Sequence, residues 1–269
     1  DHRDLHSFPT RRSSDLNDYF VREYAENFSL SADRSFIVGS PRILRPPAYD
    51  PKWSRRERRA ELGIPADLPV VVLATQPMPA IHTETVFRDV VRAVVSLGRP
   101  VRLYVKPHPE ENEADRALYR TIIRQESGTA TCSVVDIDVK DLMIASDLVV
   151  VYYSVTALEA AVLERNVLIA GRRGEPYPMA YDEILSVPLC TDADEIRAAM
   201  LDTFASGPAA TTGIGAFRDR HPYLYDNRVF DRLADAVQSV IESGETGIRD
   251  AATFPDQPFV TAEFREYLG

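Results

Sequence analysis

Apolar and polar positions along the chain fall into a repeating pattern of short β-branched runs and longer amphipathic stretches. Residues 69–75 (PVVVLAT) form a continuous apolar run of the buried-strand type. Residues 83–98 follow with Val86, Phe87, Val90, Val91 and Val94 at helical spacing and Gly98 as the stop. The alternation then repeats: a strand over 101–105, a helix over 113–125 with Leu118, Tyr119, Ile122 and Ile123 inward, a strand over 131–135 and a short helix over 139–145. A second strong apolar strand at 147–153 (DLVVVYY) leads into a helix over 154–165 and a strand over 167–170. Alternating units of these lengths predict an α/β fold: a Rossmann-like, mostly parallel sheet with helices on both faces.

The flanks are less regular. Residues 35–38 read as a short strand ending in the turn Gly39-Ser40-Pro41-Arg42, residues 45–53 as a proline-rich linker, and residues 55–62 as a charged helix closed by Gly63 and Pro65. Residues 172–182 read as a loop, 194–204 as a helix, and 207–215 as a linker of small residues. Residues 227–243 form an amphipathic helix using Val229, Leu233, Val237, Val240 and Ile241. The expected organisation is an extraneous segment over 1–16, a remnant of a preceding domain plus linker over 17–66, a Rossmann-like domain over 67–206, and a linker, helix and polar tail over 207–269.

The first segment, DHRDLHSFPTRRSSDL, has no hydrophobic period and no signal-peptide character, and it resembles the translation of a sequencing adapter. With no methionine at Asn17, the true N-terminus is expected upstream. The segment holds three Asp and three Arg, so the formal net charge of −10 stands without it. That charge argues against a nucleic-acid partner bound by bulk electrostatics. With 45% apolar and 27% charged residues, the 269-residue chain has the composition of a globular protein. Its two cysteines suit a reducing cytosol better than a disulfide framework.

In such sheets ligands bind at the carboxyl ends of the strands. Three strand ends carry polar groups: Thr75-Gln76, Lys106-Pro107-His108-Pro109, and Tyr153-Ser154-Val155-Thr156 leading to Glu159. Prolines on both sides of His108 fix its backbone, and Lys106 alternates onto the same side. A cation beside a rigid histidine suits a phosphate or a leaving oxygen. The other reading is an exposed histidine in a capping turn. Ser154 and Thr156 stand where a helix begins and suit an anion, or only cap it. Glu159 suits a ribose hydroxyl or a solvated helix face. Arg55, Arg56, Arg58 and Arg59 read as a solvated helix face, with an anionic membrane surface as the other surface such a run suits. His82 reads as a surface residue and His221 as a loop residue. No CxxC, GxGxxG, GxxxxGK[ST] or GxSxG pattern occurs, so neither a metal nor a cofactor is expected.

The order of the Gly-Ser-Pro-Arg turn, Thr-Gln, Lys-Pro-His-Pro, Ser146-Asp147, an apolar strand, Ser154 and Glu159 resembles the C-terminal half of GT-B-type transferases of surface polysaccharide synthesis. The nearest groups are the CDP-glycerol glycerophosphotransferases, polysialyltransferases and capsule proteins, with UDP-N-acetylglucosamine 2-epimerases as cousins. The resemblance implies a C-terminal GT-B domain that holds a CMP-, CDP- or UDP-activated sugar or glycerol. His108 would be catalytic, contacting the donor phosphate or assisting its departure. Lys106, Ser154, Thr156, Glu159, Gln76, Thr75 and Tyr153 would bind the substrate. It also implies a glycan or teichoic-acid-like acceptor, an N-terminal acceptor domain before Gly39, and a cytoplasmic enzyme that sits peripherally at the inner face of the membrane. Epimerases show Ser-Gly-Gly at the helix start, where this chain has Ser154-Val155-Thr156; an epimerase and a non-catalytic donor-binding module are the alternatives.

Overall fold

A computed structural model describes residues 38–46, 48–77, 80–127, 132–172, 180–207 and 212–243. The chain divides into two compact units, one of residues 46–175 with 181–219, the other of residues 1–45 with 176–180 and 220–269. The expected strand over 35–38 and the adapter-like segment lie outside the described residues, apart from Val38.

The larger unit is built on six parallel strands: β1 (Val70–Ala74), β2 (Arg102–Lys106), β3 (Cys132–Val134), β4 (Leu148–Val151), β5 (Asn166–Ala170) and β6 (Leu189–Cys190). Their order is β3-β2-β1-β4-β5-β6. Every residue of β1, β4 and β5 is buried, as their unbroken apolar runs require. The helices are α1 (Pro51–Glu61), α2 (Ala80–Val95), α3 (Glu113–Ser127), α4 (Val139–Ala145), α5 (Thr156–Val162), α6 (Tyr181–Leu185), α7 (Ala193–Ser206) and α8 (Thr212–Arg220). On one face of the sheet α2 packs on α3 and α7; α1 packs on α4, which also meets β1. Val70 and Val72 share a cluster with Leu142 and Ala145 of α4, whereas Leu73 lines a cleft with Val86 and Phe87 of α2. That split follows the two-residue period of the strand. Three of these helices, α4, α7 and α3, begin on side-chain caps. Asp138 accepts from the Lys140 and Asp141 amides, Asp192 from Asp194 and Glu195, and Asn112 and Asp115 form a reciprocal pair at the start of α3.

α1 departs from the solvated arginine face expected of it. Asp50 caps it, with Pro51 in its first turn. Arg59 is then only 1% exposed. Its guanidinium donates to the carbonyls of Ala145, Ala66 and Leu68 at 2.8–2.9 Å and to Asp147 Oδ2 at 2.6 Å. Arg55, one turn earlier, pairs with the other oxygen of Asp147, and the Val70 amide donates to Oδ2 at 2.8 Å. Burial pulls the Arg59 guanidinium below its usual range, and Asp147 opposes this. These two arginines tie α1 to the amino ends of β1 and β4. Arg56 is exposed and Arg58 half-buried beside Glu61 and Asp141.

The linker expected over 207–215 is in part helix. α8 starts at Thr212 because Ile214 and Phe217 are buried anchors three residues apart. Gly213 sits so close to α6 that a Cβ there would lie 2.2 Å from the Leu185 carbonyl oxygen. Its small side chain reports packing, not flexibility. Burial pushes the Cys190 thiol up to about 11.

In the smaller unit, α9 (Val229–Ser243) is held at its start. Arg232 donates to the carbonyls of Val38 at 2.9 Å and Tyr223 at 2.7 Å. Gly39, at φ +88°, is in contact range of Val229. The apolar stripe expected to pack does so only at that end: Val229 is 1% exposed, whereas Leu233, Val237 and Ile241 are 43–69% exposed. Among the described residues no helix is long and apolar enough to cross a membrane.

Candidate functional site at the carboxyl ends of β1, β2 and β4

Strand order reverses between β1 and β4. The connection leaving β1 runs toward β2 and β3, and the one leaving β4 runs toward β5 and β6. A crevice opens at such a reversal. β2 and β4 flank β1 on opposite sides, in register at Ala74–Lys106 and Leu73–Val150. Their ends therefore stand roughly 10 Å apart across β1, two strand spacings. All eight residues singled out from the sequence fall at these three strand ends or on the helix after β4.

The β2 end is the most constrained. The Glu110 amide donates to Nδ1 of His108 at 3.2 Å. An imidazole that accepts at Nδ1 carries its proton on Nε2, so His108 presents Nε2–H as a donor. Lys106 Nζ bonds Asp136 Oδ1 at 3.0 Å, and this contact holds the exposed Asp136 carboxyl below the usual range. An arriving anion would have to compete with Asp136 for Lys106.

Beneath this loop lies Glu111, 7% exposed. Its Oε2 accepts from the His108 amide at 2.7 Å and from the Thr75 hydroxyl, and its Oε1 from the Tyr119 hydroxyl. The Thr75 hydroxyl also lies 3.3 Å from the His108 amide. Thr75 thus joins β1 to the histidine loop and has its hydroxyl turned to Glu111. Burial, then Glu111, push the Tyr119 phenol well above its usual range, so it stays a donor. Sequence reading missed Glu111 because it sits in the acidic stretch Glu110-Glu111-Asn112-Glu113, which looks solvated. The available signal was Tyr119, an inward α3 residue eight positions on, about two helical turns.

At the β4 end, Gln76 is 7% exposed, and its Oε1 accepts from the Tyr153 amide at 3.3 Å, stitching β1 to β4. Tyr152 is buried and Tyr153 half-buried, their rings 4.7 Å apart. The Ser154 and Thr156 hydroxyls lie 3.0 Å apart, and Ser154 Oγ accepts the Thr156 amide at 3.3 Å. Ser154 thus closes the turn at the start of the helix, as the capping reading expects. α5 has only seven residues, and these two hydroxyls are the polar side-chain groups at its start. Glu159 is half-buried on its first turn. A small cleft, open to solvent, runs inward between Thr75, Gln76, Thr83, Phe87, Tyr119 and Tyr152. Its back wall includes the Phe87–Tyr119 stack, with centroids 4.5 Å apart.

A family model described as CDP-Glycerol:Poly(glycerophosphate) glycerophosphotransferase matches residues 14–239. The chain belongs to this family. Among solved structures it is similar to the wall teichoic acid polymerase TagF, with a TM-score of 0.57 and 19% identity over 85% of this chain and 57% of that one. It is also similar to a glycosyltransferase from Rickettsia africae, with a TM-score of 0.57 and 12% identity over 86% of this chain and 63% of that one. A third is a Listeria monocytogenes protein assigned as a UDP-N-acetylglucosamine 2-epimerase, with a TM-score of 0.54 and 15% identity over 81% and 56%. These likenesses establish the GT-B-type, Rossmann-like fold. The chain spans a little over half the length of the polymerase. No curated protein matches.

For this glycerophosphotransferase-family chain, then, the strand ends bring together Lys106, His108, Thr75, Gln76, Tyr153, Ser154, Thr156 and Glu159 within one unit. His82 is half-buried on the first turn of α2. His221 belongs to the other unit and is buried, in edge contact with Tyr223. Among the described residues no group of three or more His, Cys, Asp and Glu side chains is arranged to hold a metal ion.

Proposed function

We propose that this chain is the donor-binding half of a transferase that moves glycerol phosphate from a CDP-activated donor to a surface-polymer acceptor of the teichoic-acid type. The family match supports the reaction class. The observation that carries the site is His108, whose Nδ1 is already engaged so that Nε2–H is the group offered at the carboxyl end of β2. In the reaction, the acceptor hydroxyl oxygen bonds to the glycerol-bearing phosphorus and the bond from that phosphorus to the bridging oxygen breaks. CMP departs with the bonding electron pair, and the acceptor hydroxyl gives up its proton to water. His108 Nε2–H donates to the departing phosphate as its charge develops. Lys106 exchanges Asp136 for a donor phosphate. Ser154 and Thr156 supply hydroxyls to phosphate oxygens, and Glu159 accepts from the ribose. Thr75 and Gln76 hold the three strand ends in place, with Tyr153 against the donor. The same site serves a sugar donor if the activated group is a sugar, and a peripheral place at the inner face of the membrane would bring it to its acceptor. Calorimetric titration with CDP-glycerol, CDP, CMP and UDP tests this. The full chain should bind at least one cytidine nucleotide, and His108→Ala should weaken that binding on the order of tenfold or more, the worth of one charge-assisted hydrogen bond. Absence of binding to all four would overturn the reading. Binding of UDP alone would move it toward the epimerase relatives.

A further inference from the structure

Glu111 stands out as a buried carboxylate that the proposed chemistry leaves unused. Among the described residues no lysine, arginine or histidine side chain pairs with it. A carboxylate in such a place is costly unless donors surround it, and here three do: the His108 amide, the Thr75 hydroxyl and the Tyr119 hydroxyl. They come from the β2 loop, the end of β1 and α3. The Glu111 amide in turn donates to the His108 carbonyl at 3.0 Å, closing the loop on itself. A turn that merely links β2 to α3 has no need of a buried charge, and the Asn112–Asp115 pair already caps that helix. Both backbone polar groups of His108 end on Glu111, and its ring nitrogen ends on Glu110.

We infer that Glu111 is the positioning residue of the site: its carboxylate fixes the backbone of His108, and so the direction of Nε2–H, by joining that loop to β1 through Thr75 and to α3 through Tyr119. The consequence for the reaction rests on the role given to His108 above; the consequence for the His108 ring does not.

Two measurements on the full chain test it. In protein labelled with ¹⁵N-histidine, the wild-type His108 resonances should show the Nε2–H form. Glu111→Ala should turn this into a mixture of both tautomers and weaken CDP-glycerol binding on the order of tenfold. Glu111→Gln keeps one acceptor oxygen for His108 and Thr75, so it should restore the Nε2–H signature and bring affinity back to within about threefold. A variant that only loosened packing would not be rescued in this ordered way. If Glu111→Ala does not fold, Thr75→Val removes the hydroxyl that bridges Glu111 to His108 and should mix the tautomers likewise. A folded Glu111→Ala or Thr75→Val protein with an unchanged His108 signature overturns the inference. If the wild type binds none of CDP-glycerol, CDP, CMP and UDP, the proposed function fails, and the tautomer signal still decides the role of Glu111.

Discussion

Replacing Asp147 with alanine removes the acceptor that Arg59, Arg55 and the Val70 amide share. The Asp147 side chain is 11% exposed and that of Arg59 only 2%. Truncating one partner of a buried pair leaves the other charge uncompensated, at a cost of about 3–5 kcal/mol. Two features of this site set where in that range the loss falls. Arg59 keeps its bonds to the Ala145, Ala66 and Leu68 carbonyls, which soften the loss. The Val70 amide, buried at the start of the central strand, loses its partner, which adds about 1–3 kcal/mol. An overall loss of about 4 kcal/mol is expected, or roughly 10 °C in Tm for a chain of this size. Asp147→Asn keeps one acceptor oxygen without the charge and should lose about half as much. Urea denaturation followed by far-UV circular dichroism gives the free energies, and a cycle with Arg59→Met isolates the pair. A loss under about 1 kcal/mol for Asp147→Ala, the range of a screened surface pair, would refute the reasoning.

Gly213→Ala should destabilise the chain by about 1–3 kcal/mol, the range for overpacking a filled contact, because the new methyl meets the carbonyls of Leu185 and Ser186. The midpoint of urea unfolding checks this, with Gly215→Ala, which has open space around it, as the tolerated control. Glu126 receives Arg92 and Arg88 across α2 and α3, and these bonds hold its carboxyl below the usual range. Its contribution is therefore complete above the ordinary glutamate value and is lost as pH falls through the depressed one. Glu126→Gln should flatten that acid-side loss and cost about 0.5–1 kcal/mol at neutral pH, less in high salt, as read from Tm against pH and ionic strength.

Much of the sheet was legible because burial on both faces writes itself as uninterrupted β-branched residues. Val70–Ala74, Leu148–Val151 and Asn166–Ala170 are found within two residues of where their runs place them. Strand ends were legible for a related reason: polar groups that follow such a run stand at the sheet's carboxyl edge, where Lys106, His108, Ser154 and Thr156 are. The burial of charged side chains was not legible. Arg59 and Glu111 sit among other charged residues of the same sign, and each is buried by a partner 88 or 8 positions away. Composition assigns such residues to solvent, and only the packing of α1 and α3 shows otherwise. The glycines of 207–215 misled in the opposite direction, since a small residue signals close approach as readily as freedom.

Residues 147–154 combine three unrelated constraints in one short stretch. Its first residue anchors Arg59 and Arg55, its next four fill the middle of the sheet, and its last two carry the seam to Gln76 and the hydroxyl that the proposed function assigns to a donor phosphate. Random substitution across this octet should find no silent position, yet the losses would sort cleanly by assay. On the proposed donor role, changes at the head would lower the melting temperature of a protein that still binds, and changes at the tail would abolish binding in a protein that melts normally. On that role, a different donor preference would be grafted onto this scaffold by exchanging the tail alone, with the head left joined to its arginines.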